Sequence, residues 1–427
     1  MNRRSALTAL PALIISSSPL LTACNMATSK KNIRELGKIF QYLKDPELRK
    51  KEVGDALLTV EGAEISGESF QYVDWSHILF RNCDFVGAYQ IKIGNSTDVR
   101  YEDCRFSGIF GYGKTNRVHF LRCAWTDGSI GYAGEKSTAL VFESCRFVGT
   151  NPDRNHWGGV GSDGEAEFIR CTAKYFVIEG HAKLTLRQCE FEDTKCTPRS
   201  KESGGVFADV SIEDSKLRGV FSMVPADFQS LIIRDTLIEG TFDMTNATVK
   251  GDILMERVTA GVILGYVKNA NSFTVRDSKI AGNGMDVFEA FAGGIRAISI
   301  EGTTFGVGSI RGGNGTDGVT IAGGFSLKEP TRTSSVSQSI LIRDSKIPQL
   351  QSQHLNTKNL VLRKVEIGEA DFTNTRAEVL ELDDVSFTRS VNMSGAQIKE
   401  FKQRGTTDLK RLGRGLKLEG SNIKLPR

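Results

Sequence analysis

Apolar and polar residues along this chain recur in a frame of eight, with small or apolar side chains at positions one, four and six and polar ones at two, three and five. FRNCDFVG from Phe80, YEDCRFSG from Tyr101 and FESCRFVG from Phe142 show the frame most plainly. Period-two alternation on either side of a bend predicts two short strands per copy. In LIIRDTLIEG, Leu231 and Ile233 point inward from one strand, Arg234-Asp235 makes the bend, and Thr236 and Ile238 point inward from the next. Copies run from VEGAEISG at Val60 to LEGSNIKL at Leu418, most of them 18 to 22 residues apart. They include a degenerate IAGGFSLK at Ile321, and one more turn is expected between Leu382 and Leu418. A unit of that size cannot bury its apolar face alone, so neighbouring units must stack. The predicted fold is all-β, a parallel β-helix of about eighteen coils, roughly 80 Å long at the spacing of hydrogen-bonded strands.

Individual positions sharpen the frame. Position three holds Asn82, Asp103, Asp214, Asp235, Asp277, Gly302, Asp344 and Asp384, residues that tolerate the left-handed conformation a tight bend requires. Position two runs Arg187, Glu213, Arg234, Glu256, Arg276, Glu301, so that successive coils place opposite charges side by side and a one-rung slip would oppose like charges. Position four holds Cys83, Cys104, Cys123, Cys145, Cys171 and Cys189, then Ser215, Thr236, Val258, Ser278, Thr303 and Ser345. That series reads as a slot selecting small volume. It predicts a file of buried thiols, because parallel Cβ vectors aim sulfurs poorly for a disulfide and no paired C-x-x-C motif points to zinc. Cys196 lies off the frame and is expected to be the more exposed thiol.

The looping frame resembles the right-handed β-helix of the pectate-lyase-like superfamily. Pentapeptide-repeat solenoids are the competitor, since DFTNTRAEVLELDDVSF keeps a period of five through Phe372, Ala377, Leu382 and Phe387. Steps of 26 residues after Phe142 and Leu186 favour the looser helix. The superfamily resemblance implies enzymes that cleave or epimerise acidic polysaccharides, with clustered Asp for calcium or acid chemistry and Arg, Lys or His as base. Few such signatures stand here. Gly180-His181-Ala182-Lys183 is loosely similar to the Gly-His-Gly of polygalacturonase-type enzymes, Asp384 of the Asp383-Asp384 pair occupies a bend, and the Asp-Pro-His-Asp of mannuronan epimerases is absent.

The ends carry different signals. MNRRSALTALPALIISSSPLLTAC reads as a secretory signal over residues 1–23. Leu21-Thr22-Ala23-Cys24 resembles a bacterial lipobox, which implies diacylation of Cys24, a linker over residues 24–31, and, with Asn25 rather than Asp following, an outer-membrane anchor facing the periplasm. NIRELGKIFQYLKD predicts a helix presenting Ile33, Leu36, Phe40 and Leu43 to the end of the solenoid, within a cap over residues 32–56. The helix proper is placed at 57–398, and residues 399–427 form a last coil and a cap with nine basic and three acidic residues. Over the whole chain 55 basic residues nearly balance 51 acidic ones, which gives no sign of a nucleic-acid partner.

Candidate chemistry collects in loops, where binding residues concentrate on rigid scaffolds. TNPDRNHWGGVGSDGEAE holds Asp153, His156 and Asp163 as acid or base candidates, with His181 from the later motif; Arg154, Trp157 and Glu165 are ligand-binding candidates, the indole as a stacking surface for a sugar. GNGMDVFEAFAGGIR places Met285, Val287, Phe288 and Phe291 in a short helical segment. Two function classes follow. One is a non-catalytic, lipid-anchored binding protein of the envelope, with a protein or glycan partner, an immunity-type lipoprotein being one form of it; no cofactor or metal is expected. The other is a polysaccharide-modifying lyase or hydrolase, for which calcium becomes relevant.

Overall fold

The computed structural model describes residues 36–66, 73–86, 91–127, 129–133, 140–149, 159–162, 164–180, 183–197, 207–223, 227–245, 247–265, 267, 269–280, 288–291, 295–306, 319–322 and 337–425. Within them the chain is a parallel β-solenoid in which each coil lays its strands beside those of the coils before and after it. The longest ladder joins sixteen strands in unbroken register. Its core position runs Val60, Phe80, Tyr101, Phe120, Phe142, Phe168, Leu186, Ile212, Ile233, Met255, Val275, Ile300, Ile342, Leu362, Leu382 and Gln403. Fifteen of those sixteen open a copy of the octet. At about 4.8 Å per strand the ladder is roughly 70 Å long.

The count falls short of eighteen for two identifiable reasons. The strand Val319–Ala322 pairs with Phe288–Phe291 and with Leu350 and Gln351, so the copy at Ile321 belongs to another side of the coil. The copy at Leu418 follows a strand paired with Val391 and Asn392, again off the first ladder. The turn expected between Leu382 and Leu418 is the strand Gln397–Arg404. Phe288–Phe291 is itself a strand rather than a helix, held by Ile263–Gly265 below and Val319–Ala322 above. Backbone pairing between coils there outweighs the short segment's helical spacing.

All sixteen residues at the bend have φ between +47° and +64°. Asp and Asn were the sequence's markers for it, yet Arg122, Ser144, Arg170, Gln188, Arg257 and Lys364 adopt it too. Two of the three arginines stand above aspartates: Arg122 Nε and Nη2 each reach Asp103 at 2.7 Å, and Arg257 reaches Asp235 at 2.6 and 2.8 Å. A two-pronged pair of this kind offsets part of the local strain, on the order of 1–3 kcal/mol for a left-handed non-glycine residue.

Two helices precede the first coil, α1 (Leu36–Lys44) and α2 (Pro46–Glu52). The expected apolar stripe is shifted: Ile39, Tyr42 and Leu43 are buried and Phe40 only partly so. The turn between the helices is set by Asp45, whose side chain accepts from Leu48 N at 2.9 Å, ahead of Pro46, which is compatible with a first helical turn. Arg49 of α2 is buried and donates to the Ser76 carbonyl at 2.6 Å, tying the helices to the second coil. At the far end Leu409 and Ile423 lie over the last coil, and the Asn422 amide pairs with Ile398 N and O as a neighbouring strand would.

Candidate functional site

The position-four slot can be built from the backbone upward. Six cysteines are buried with no disulfide among them, and each sulfur lies 3.2–3.6 Å from two carbonyl oxygens, one in its own coil and one in the coil before. Where the slot holds Ser215, Thr236, Ser278, Thr303 or Ser345, the hydroxyl donates to the carbonyl two residues back at 2.6–2.9 Å and accepts a backbone N–H from the preceding coil at 3.0–3.4 Å. Most occupants of the slot are thus small donors as well as small in volume, Val258 filling it by volume alone. Cys196 corrects an expectation: it is fully buried, because register with Ile178 turns it inward. Burial raises the Cys145 and Cys196 thiols. Burial is also the largest single effect at Cys123 and Cys171, although donation from neighbouring thiols favours the thiolate there. Buried and turned to backbone carbonyls, the thiols of the file serve as packing material.

Of the site residues expected from the sequence, Cys24, Asp153, Arg154, His156, Trp157, Asp163 and His181 lie outside the described residues. Glu165 is described. It opens the strand Glu165–Ile169, is exposed, and stands in register with Lys183. Its neighbour in the ladder is thus an opposite charge, an arrangement that serves strand pairing.

A different group converges on the outward face of the first ladder. Alternation turns Ile78, Phe80, Val99, Tyr101, Val118 and Phe120 into the core, and so turns Arg81, Arg100, Glu102 and His119 outward. Register sets Arg81 beside Glu102, Arg100 beside His119, and Glu143 in the coil after His119. Glu102 accepts from Arg81 Nε at 3.1 Å and faces Arg100 Nε at 2.8 Å. Glu143 pairs with Arg170 of the following bend, and its Oε2 lies 3.2 Å from His119 Nε2. That nitrogen is shut off from solvent and the approach misses the hydrogen-bond direction. Burial, with Arg100 second, pulls the imidazole below the ordinary histidine range against the opposing pull of Glu143 and Glu102. The ring is therefore neutral at neutral pH, a base placed among three guanidiniums and two carboxylates.

His119 carried no flag in the sequence because it stands one residue before the octet. Reading that column downward, Leu79, Arg100, His119, Val141, Glu167, alongside position two, Arg81, Glu102, Leu121, Glu143, would have brought it out. Among the described residues no group of three or more His, Cys, Asp or Glu side chains is placed to hold a metal ion, and no helix is long and apolar enough to cross a membrane.

No family model and no curated protein matches the chain. Among solved structures it is similar to the A-module of Azotobacter vinelandii mannuronan C-5 epimerase AlgE6, at 12% identity and TM-score 0.25, covering 93% of this chain and 97% of that one. The A-module of AlgE4 from the same organism aligns at 10% identity and TM-score 0.31, covering 93% and 98%. Divergence of that size leaves the chemistry to be argued from this chain's own residues.

Proposed function

We propose that the chain modifies an acidic polysaccharide on the outward face of its first ladder, with His119 as the base. The observation that carries this reading is a neutral, largely buried imidazole set between carboxylates of neighbouring coils. Arg81 and Arg100 would neutralise a sugar carboxylate, which acidifies the proton on the adjoining carbon. His119 would take that proton at Nδ1, its Nε2 being turned to Glu143, which would stabilise the imidazolium formed. The resulting carbanion either regains a proton from the opposite side, giving an epimer, or expels the group on the next carbon, giving an unsaturated sugar.

Both outcomes begin with one proton abstraction: deuterium incorporation from solvent into polyuronides reads the epimer branch, and the ultraviolet absorbance of the unsaturated sugar reads the elimination branch. The expected result is exchange that drops at least a hundredfold in His119→Ala, with unchanged circular dichroism. Because the base acts when neutral and its proton affinity is lowered, exchange persists as pH falls through the ordinary histidine value of about 6.5 and declines only beneath it. Absence of both exchange and unsaturated product with every polyuronide, or full turnover in the variant, sinks the reading.

A second reading is a non-catalytic envelope protein that binds a protein or glycan partner along the same side. It is favoured by the pairing of Glu102 with two arginines and of Glu143 with Arg170, an arrangement that also suits a merely structural charged face. A stoichiometric protein recovered from an envelope extract, with no glycan turnover, would select it. Under either reading we propose a lipid at Cys24 that holds the chain to the outer membrane on the periplasmic side. Palmitate incorporation lost in Cys24→Ala is the expected result, and retained labelling excludes the anchor.

A further inference from the structure

A second groove, eleven rungs from His119, presents side chains that the proposed reaction does not use. It encloses about 560 Å³ between Asn356, Lys358, Arg376, Glu378, Gln397, Lys399 and Asn422, with Thr357 and Ala377 behind them. Register builds it as two outward rows. Asn356, Arg376 and Gln397 stand side by side in successive coils, and Lys358, Glu378 and Lys399 lie two residues further along the same strands. Three cations thus surround one carboxylate. The Arg376 and Lys358 side chains are exposed and make no ion pair among the described residues, and Lys399 reaches Glu378 only at 3.5 Å.

The groove over the strands Arg146–Val148, Thr172–Lys174 and Glu190–Thr197 is different in kind. There, in about 270 Å³, Lys174 is held by Glu192 at 2.7 Å and Arg218 by Glu190 at 3.4 Å and by Glu239 at 3.0 Å. Most of its charges are spent on one another, Arg146 alone of its lining cations making no ion pair among the described residues. At the C-terminal groove Arg376 and Lys358 remain available, and the last 29 residues of the chain, Lys399 among them, hold nine basic against three acidic residues.

We infer that this groove binds an acidic glycan. Its donors repeat at the strand spacing of about 4.8 Å, which suits charges carried along one polymer better than a single small anion. The Asn356 amide can both donate to and accept from sugar hydroxyls, and Gln397, whose Nε2 donates to the Gly420 carbonyl, keeps its amide oxygen as an acceptor. Ala377, the one apolar residue of the lining, is buried, so nothing here would enter a bilayer. The choice of glycan as ligand rests on the function proposed above. The groove and the His119 face lie roughly 50 Å apart, so only a long polymer could occupy both, and the groove would retain the chain while the other site acts.

Affinity electrophoresis against polygalacturonate, neutral amylose and anionic phospholipid vesicles tests this. Binding to polygalacturonate that weakens with salt, falls at least tenfold in Arg376→Gln/Lys399→Gln and is unchanged in Lys250→Gln is the expected result. Wild-type affinity in the double variant, or binding to vesicles but not to polygalacturonate, overturns it. The two proposals fail separately. His119→Ala should lose exchange and keep binding, whereas the double variant should lose binding and still exchange oligomers too short to span the eleven rungs.

Discussion

Residues 75–191 and residues 207–404 share one backbone frame and fill it differently. In the first stretch the core is two aromatic files. Phe80, Tyr101, Phe120, Phe142 and Phe168 stack at 4.6–5.2 Å between centroids. Beside them Phe85, Phe106, Trp125 and Phe147 stack at 4.5–4.7 Å, and the files meet edge to face. The second stretch replaces these with Ile212, Ile233, Met255, Val275, Ile300, Ile342, Leu362 and Leu382. The fourth-position slot changes in step, from thiol to hydroxyl or valine. Flat rings at the strand spacing match an offset stack, so aromatic coils gain ring contacts as well as burial. Aliphatic coils gain less from each side chain, and there the hydroxyls tie backbone N–H and C=O of adjacent coils together. A thiol, a weak donor, contributes little to such a link.

The largest expected difference follows from the rings. Phe120 touches Tyr101, Phe106, Trp125 and Phe142, so Phe120→Ala should cost about 3–5 kcal/mol, above Ile300→Ala in the aliphatic stretch, both read from urea midpoints. Equal losses would mean that stacking adds nothing to burial. The slot gives a smaller contrast with the opposite sign. Ser278→Ala strands the Val258 N–H, while the Arg276 carbonyl keeps the N–H of Arg257, and should cost about 1–3 kcal/mol, whereas Cys145→Ala removes only packing, about 1 kcal/mol. A larger loss at Cys145 would show that the thiol file carries more than volume.

The frame was legible in residue order because inwardness is local. Alternation about a bend fixes which side chains enter the core whatever lies in the next coil, and so the octets aligned residue for residue through fifteen rungs. The two copies that failed, at Ile321 and Leu418, kept the local pattern but sit on other sides of their coils. The alternating charges were also legible: within the column from Arg187 to Glu301, Arg187–Glu213, Arg234–Glu256 and Glu256–Arg276 form, and Arg81–Glu102 and Arg343–Glu301 extend it beyond those residues. Arg363 exposes the limit of that reading. Its register neighbours are Arg343 and Asp383, and it pairs with both Asp383 and Glu381, the latter from the outward column beside.

Taken by itself, the sequence determined the solenoid, the inward residues, the bend and the slot, since each depends on spacing within about eight residues. Tertiary structure decided which outward groups meet. His119 and Glu143 are 24 positions apart, and Arg376 and Gln397 are 21 apart. Such neighbours depend on the length of every coil between them, because one added or lost residue in a loop changes which side chain stands above which. Only with the register in place does a histidine outside the octet become a base between two carboxylates, and a run of terminal charges become a groove.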